Sequence, residues 1–179
     1  VFAEALLHRL LQTYERCVDR FVVPSRFYVA KLAEWGLPRE RFVQIPNFID
    51  VRAYRADPAP GKRYVYVGRL SPEKGVATLV RAAGLAGCGV TVIGTGPQAD
   101  SLRHLALQCG ADVEFTGFLS GDALQVAIRS ARAVVLPSEW YENAPMSVLE
   151  GYALGKPCVG ARIGGLPELI REGETGATF

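Results

Sequence analysis

Apolar residues recur along the chain in two rhythms, and the change of rhythm divides it. Residues 1–20 carry Leu6, Leu7, Leu10, Leu11, Tyr14 and Val18 at helical spacing, which predicts an amphipathic helix. "RFVVPS" reads as a short buried strand, and Ser25 as the N-cap of a helix over 26–35 that Gly36 ends. "RFVQIPN" reads as another strand. Residues 51–62, "VRAYRADPAPGK", are polar, rich in proline and without apolar period, as a linker is.

Beyond this stretch short β-branched runs alternate with helical ones. "RYVYVG", "GVTVIG", "DVEFTG", "ARAVVLP" and "PCVGA" predict strands. Helices are predicted at about 74–86, 98–109, 121–130 and 145–155, with another starting near Pro167. Five strand–helix units in series imply a parallel sheet with helices on both faces. The fold class expected is α/β, a doubly wound, Rossmann-like parallel sheet over 59–179. Residues 1–58 then form the tail end of a preceding α/β domain and a linker. The chain opens on Val1 rather than Met and stops at "GETGATF" after a glycine-rich turn signal, so it is expected to be part of a longer protein.

In such sheets ligands bind beyond the carboxyl ends of the strands. The loop "GRLSPEKG" after the first strand offers Gly68, Arg69 and Lys74 ahead of a helix. Two cations beside glycines at that position suit a phosphate or diphosphate. They read equally, taken alone, as solvated surface charges. "SEWYENAPMSVLEGYALGKP" opens on Glu139 and then sets two further carboxylates, Glu142 and Glu150, in a largely apolar segment. Carboxylates beside phosphate-binding cations are poor phosphate partners but good acceptors for hydroxyls, and a vicinal diol can give two hydrogens to one carboxylate. Glu142 also reads as a helix N-terminal charge. That reading does not serve Glu150, which lies among Met146, Val148, Leu149, Tyr152 and Leu154.

Composition narrows the classes. The net charge of +2 argues against a dedicated nucleic-acid binder. No apolar run approaches the roughly 18 residues of a membrane span. The four cysteines, Cys17, Cys88, Cys109 and Cys158, show no metal-ligand spacing and read as free buried thiols in a reducing cytoplasm. His8 and His104 show no partner as ligand or catalyst. Trp35 and Trp140 read as packing residues, with Trp140 near enough to Glu142 to shape a pocket.

A competing signal is "VIGTGPQA", in which Gly94, Gly96 and Ala99 form a G-x-G-x-x-A loop after a strand, with Glu114 twenty residues beyond Gly94. That is a dinucleotide-binding fingerprint and points to an NAD-dependent oxidoreductase. Against it, a complete strand–helix unit precedes the loop, Pro97 and Gln98 stand where the tight turn should be, and Glu142 and Glu150 go unexplained.

Taken in order, "YVGRLSPEKG", "VIGTGP", "VEFTGFLS" and "PSEWYENAPMSVLEGYALGKPCVGARIGGLPELI" resemble the group 1 family of glycosyltransferases. Glu142 and Glu150, with seven residues between them, match that family's glutamate motif. "VPSRFYVAKLAEWGLPRERFVQIPNFID" resembles the end of the family's first, acceptor-side domain and the crossing to the second, which binds a nucleotide sugar.

The resemblance implies sugar transfer from a nucleoside diphosphate sugar to an acceptor hydroxyl, with retention, no metal and no cofactor. It gives Arg69 and Lys74 the donor diphosphate, with Gly68 allowing close approach. Glu142 takes hydroxyls of the transferred sugar, with Asn143, Ala144, Pro145 and Met146 touching that sugar and its phosphate. Glu150 takes the ribose, and Gly94, Gly96, Phe118 and Leu119 border the base. Catalysis falls to Glu142, Arg69 and Lys74. A carbohydrate or lipid-linked acceptor would bind through the absent part of the first domain, so the chain alone is expected not to turn over. The full-length enzyme is expected in the cytoplasm, with peripheral docking at the inner membrane face left open. A nucleotide-sugar epimerase and a non-catalytic binding domain remain as alternatives. One departure is Phe48, where the family more often has glycine.

Overall fold

A computed structural model describes residues 2–179, which divide into two compact units, the first ending at Asn47 and the second Phe48–Phe179. In the first unit, helices α1 (Phe2–Leu10) and α2 (Thr13–Cys17) replace the single predicted helix. The break falls at Gln12, whose φ of 49° is the one positive value among described non-glycine residues. Phe48 accordingly sits in ordinary backbone. Strands β1 (Phe21–Val23) and β2 (Phe42–Gln44) pair in parallel across helix α3 (Arg26–Glu34). Ser25 caps α3 by accepting a hydrogen bond from the Tyr28 amide at 3.2 Å, and Gly36, at φ 98°, follows its end.

The second unit carries one parallel sheet of six strands: β3 (Tyr64–Val67), β4 (Val90–Ile93), β5 (Val113–Gly117), β6 (Val134–Leu136), β7 (Cys158–Gly160) and β8 (Gly176–Thr178). Their order is β5-β4-β3-β6-β7-β8. The helices between them are α4 (Val76–Ala86), α5 (Ala99–Cys109), α6 (Gly121–Arg129), α7 (Met146–Ala153) and α8 (Leu166–Leu169). The sheet alternates its side chains between two cores. Tyr66, Val90, Val92 and Val135 pack with Leu79 and Val80 of α4 and Leu102 of α5. Val65, Ile93, Val134 and Leu136 pack on the other face with Ile128 of α6, Val148 of α7 and Leu166 of α8. The doubly wound α/β architecture expected from the pattern is present.

Beyond the broken first helix, one strand was not expected and two burial expectations fail. Strand β8 has no apolar run of its own, and only its register against β7, Cys158 to Gly176 and Gly160 to Thr178, makes it a strand. Of the cysteines only Cys158 is buried; Cys17 and Cys109 are exposed and Cys88 is intermediate. Trp35 and Trp140 are 66% and 65% exposed, so neither is a packing residue. Among the described residues no helix is long and apolar enough to cross a membrane.

Candidate active site

Strands β3 and β6 are neighbours, yet the chain leaves β3 toward β4 and reaches β6 only after β5. Their carboxyl ends therefore flank the point where strand order reverses, the crevice in which open α/β sheets bind ligands. The two loops that open there are 68–75 and 137–145.

The first loop continues the ladder past the strand end. The Gly68 amide donates to the Ile93 carbonyl at 3.0 Å and the Leu70 amide to the Thr95 carbonyl at 2.9 Å. The two backbones run so close that a Cβ on Gly94, at φ 140°, would lie 1.9 Å from the Gly68 carbonyl oxygen. One on Gly96 would lie 2.3 Å from that of Leu70. These glycines serve the packing of one strand-end loop on the next, quite apart from any ligand. The Tyr66 hydroxyl donates to the Arg69 carbonyl at 2.8 Å. Burial, with the charges of Glu142 and Glu73, pushes the Tyr66 phenol up, so it keeps the proton that this bond needs. A single 3₁₀ turn, Pro72–Lys74, then aims Lys74 back across the cleft.

The second loop brings Ser138 and Glu142. The Glu139 amide donates to the Glu73 carbonyl at 3.0 Å, tying the loops together. Lys74 Nζ meets Glu142 Oε1 at 2.6 Å, and Ser138 Oγ donates to the same oxygen at 2.7 Å. The backbone of Glu142 is held from behind, because the Gly165 amide donates to its carbonyl at 2.6 Å. Pro145 precedes the first residue of α7, and Glu150 lies one turn inside that helix. Glu150 is half-buried, and burial pushes its carboxyl above the ordinary range. Burial raises the Tyr54 phenol, and the nearby Glu150 charge adds to the rise.

A cleft of about 290 Å³ is lined by Gly68, Arg69, Lys74, Glu142, Pro145, Met146 and Glu150. A second of about 730 Å³ is lined by Gly94, Gly96, Phe118 and Leu119 together with Arg69 and Glu150. Gly68, Arg69 and Glu150 border both, so the two are lobes of one crevice. The cations and acids singled out in the sequence thus share one cleft. Asn143 and Ala144 do not; they are half-buried in the loop and absent from its lining. Trp140 is also outside it, tilted against Tyr141 with ring centroids 5.5 Å apart. Two participants were not anticipated: Ser138, whose only signal was its place one residue past Pro137, and the Gly164–Gly165 pair, whose signal was the doublet itself.

The dinucleotide fingerprint loses its acid. Glu114 is the second residue of β5, paired with Thr91. It lines a cavity with Lys62 and Arg63, which precede β3. Gly94 follows the other end of β4, three strand residues or roughly 10 Å away. A ribose held at the glycine loop is out of reach of this carboxylate.

The family model of "Glycosyl transferases group 1" matches residues 51–179. A GDP-mannose-dependent alpha-mannosyltransferase of Corynebacterium glutamicum is 36% identical over 177 residues, covering 93% of this chain and 41% of that protein. A GDP-mannose-dependent alpha-(1-6)-phosphatidylinositol monomannoside mannosyltransferase of Mycobacterium tuberculosis is 32% identical over 164 residues, covering 78% and 43%. The crystal structure of Anabaena Alr3699/HepE in complex with UDP and glucose superposes with a TM-score of 0.83 at 22% identity, over 96% of this chain and 52% of that one. The chain therefore spans about half the length, or less, of the relatives it matches. With the match over 51–179 taking in every strand of the six-stranded sheet, the chain belongs to the group 1 glycosyl transferases.

Proposed function

We propose that the chain is the donor-binding part of a retaining glycosyltransferase, holding a nucleoside diphosphate sugar for transfer of its glycosyl group to an acceptor hydroxyl. The observation that carries this is the shared cleft at the strand-order reversal, lined by Arg69 and Lys74 together with Glu142 and Glu150. In this reading the guanidinium and the ammonium hold the diphosphate and stabilise the negative charge that develops on the leaving nucleotide. Glu142 accepts hydroxyls of the sugar, with Pro145 and Met146 beside it. Glu150, whose raised carboxyl is costly to leave charged and unpartnered, gains most from the two hydroxyls of a ribose. The larger lobe, with Gly94, Gly96, Phe118 and Leu119, takes the base.

The two cations do the charge neutralisation in this scheme, so nucleotide affinity should be indifferent to a chelator. Catalysis requires an acceptor, carbohydrate or lipid-linked, delivered by the part of the enzyme that precedes this chain. The 179-residue chain is accordingly proposed to bind donor without turnover. Calorimetric titration of the chain with UDP, GDP, ADP and NAD tests the reading. Saturable binding of a nucleoside diphosphate with none of NAD is expected; binding of NAD in preference to all three nucleotides overturns it. GDP enters the panel because the two mannosyltransferases above are named GDP-mannose-dependent.

A further inference from the structure

The ion pair across the cleft joins the two groups that the reading above assigns to different parts of one ligand. Lys74 is assigned to the diphosphate and Glu142 to the sugar, yet the two bind each other at 2.6 Å. Of Glu142's two side-chain partners, both of which line the cleft, Lys74 is the one more open to a ligand. The backbone is pinned by Gly165, and the side chain is anchored by Ser138, itself 5% exposed. Both side-chain bonds end on Oε1, so neither occupies Oε2. The Lys74 side chain is 32% exposed against 12% for Glu142, so the ammonium is the more accessible partner.

We infer that Glu142 is an exchangeable counter-ion of Lys74, held ready by Ser138 as its positioning residue, and that it biases the site toward sugar-bearing donor over spent nucleoside diphosphate. This rests on the donor-site reading. A diphosphate entering the cleft must take the ammonium from a carboxylate that cannot follow it. The carboxylate is then left beside a second anion, which costs binding free energy. A donor that still carries its sugar offsets that cost by giving hydroxyl hydrogen bonds to Glu142. The nucleoside diphosphate left after transfer offers none, so Lys74 returns to Glu142 and the product is displaced.

The test is calorimetric titration of UDP and GDP into the wild-type chain and into Glu142→Gln, Ser138→Ala and Ser138→Thr. Removing a competing ion pair of this kind should tighten nucleoside diphosphate binding in Glu142→Gln by about fivefold. Ser138→Ala, which lets the carboxylate follow the ammonium and so relieves that cost, should tighten it as well, and Ser138→Thr should restore the wild-type value. Glu142→Gln binding no tighter than wild type overturns the inference. If neither nucleotide binds any of the four proteins, the donor-site reading has failed. Thermal melts of Lys74→Met, Glu142→Gln and the double variant then decide the pairing: non-additive shifts in Tm support it and additive ones overturn it.

Discussion

Gly164 and Glu142 touch backbone to backbone. A Cβ on Gly164 would sit 2.2 Å from the Glu142 carbonyl oxygen and 2.7 Å from its nitrogen, and its φ of 63° already disfavours any other residue. The glycine thus decides where a carboxylate more than a turn of chain away can stand. Gly164→Ala should destabilise the fold by about 1–3 kcal/mol in urea titration. It should also reduce the preference for sugar-bearing donor over nucleoside diphosphate, because the loop must move to admit the methyl group.

The raised Glu150 carboxyl makes a stability prediction with a definite sign. An acid whose folded pKa exceeds its unfolded one binds protons more tightly when folded. Stability then falls as pH rises from the ordinary carboxylate value to the raised one, and the full penalty persists above that. Glu150→Gln, which carries no charge, should melt higher than wild type at pH 7 and lose that advantage at pH 3. The same variant should bind a nucleoside diphosphate more weakly. A melt difference that does not change with pH would remove the carboxylate from its buried, unpartnered role.

Lys74→Ala should weaken nucleoside diphosphate binding by more than about 1.5 kcal/mol, the worth of a charge-assisted contact. The loss should shrink as salt is raised, since the side chain remains partly in solvent. Titrations at two ionic strengths check both statements.

Gly94 and Gly117 separate a packing glycine from a merely conformational one. A Cβ at Gly94 collides with the Gly68 carbonyl, so Gly94→Ala should cost more than about 2 kcal/mol. Nothing lies within 4 Å of a Cβ at Gly117, whose φ is 76°. Gly117→Asn, a residue that tolerates this backbone, should cost less than roughly 1 kcal/mol. Chemical denaturation of the two variants measures the contrast.

Thiol reactivity reads the burial pattern directly. Cys17 and Cys109 should label rapidly with a disulfide reagent in the native protein. Cys158 is wholly buried and its thiol is pushed up to about 12, so it should label only on unfolding. Labelling time courses with and without denaturant distinguish the two classes.

Most strands and helices were legible because each is a local property. Alternation in "RYVYVG" and helical spacing in "VATLVRAAGLA" follow from how a few consecutive residues must point. The capping of α3 by Ser25 was legible for the same reason. Strand β8 was not, since Gly176–Thr178 carries no pattern and is a strand only because β7 offers it a ladder. The break at Gln12 was equally hidden, because apolar spacing runs straight through it. The tryptophans misled: apolar character makes burial favourable, but whether a neighbour covers Trp35 or Trp140 is a matter of distant residues.

The candidate site divides along the same line. That Arg69, Lys74, Glu142 and Glu150 follow strand ends was readable from composition and order, because a parallel sheet puts every such loop at one edge. That Lys74 and Glu142, 68 residues apart, form a 2.6 Å pair was decided only by the strand order, which makes β3 and β6 neighbours. Ser138 and Gly164 acquire their parts through the same adjacency. Local sequence sets each segment's conformation through steric limits on a few dihedral angles. Which segments meet is set by the pairing and packing of the whole sheet, and the chemistry of this cleft lives in those meetings.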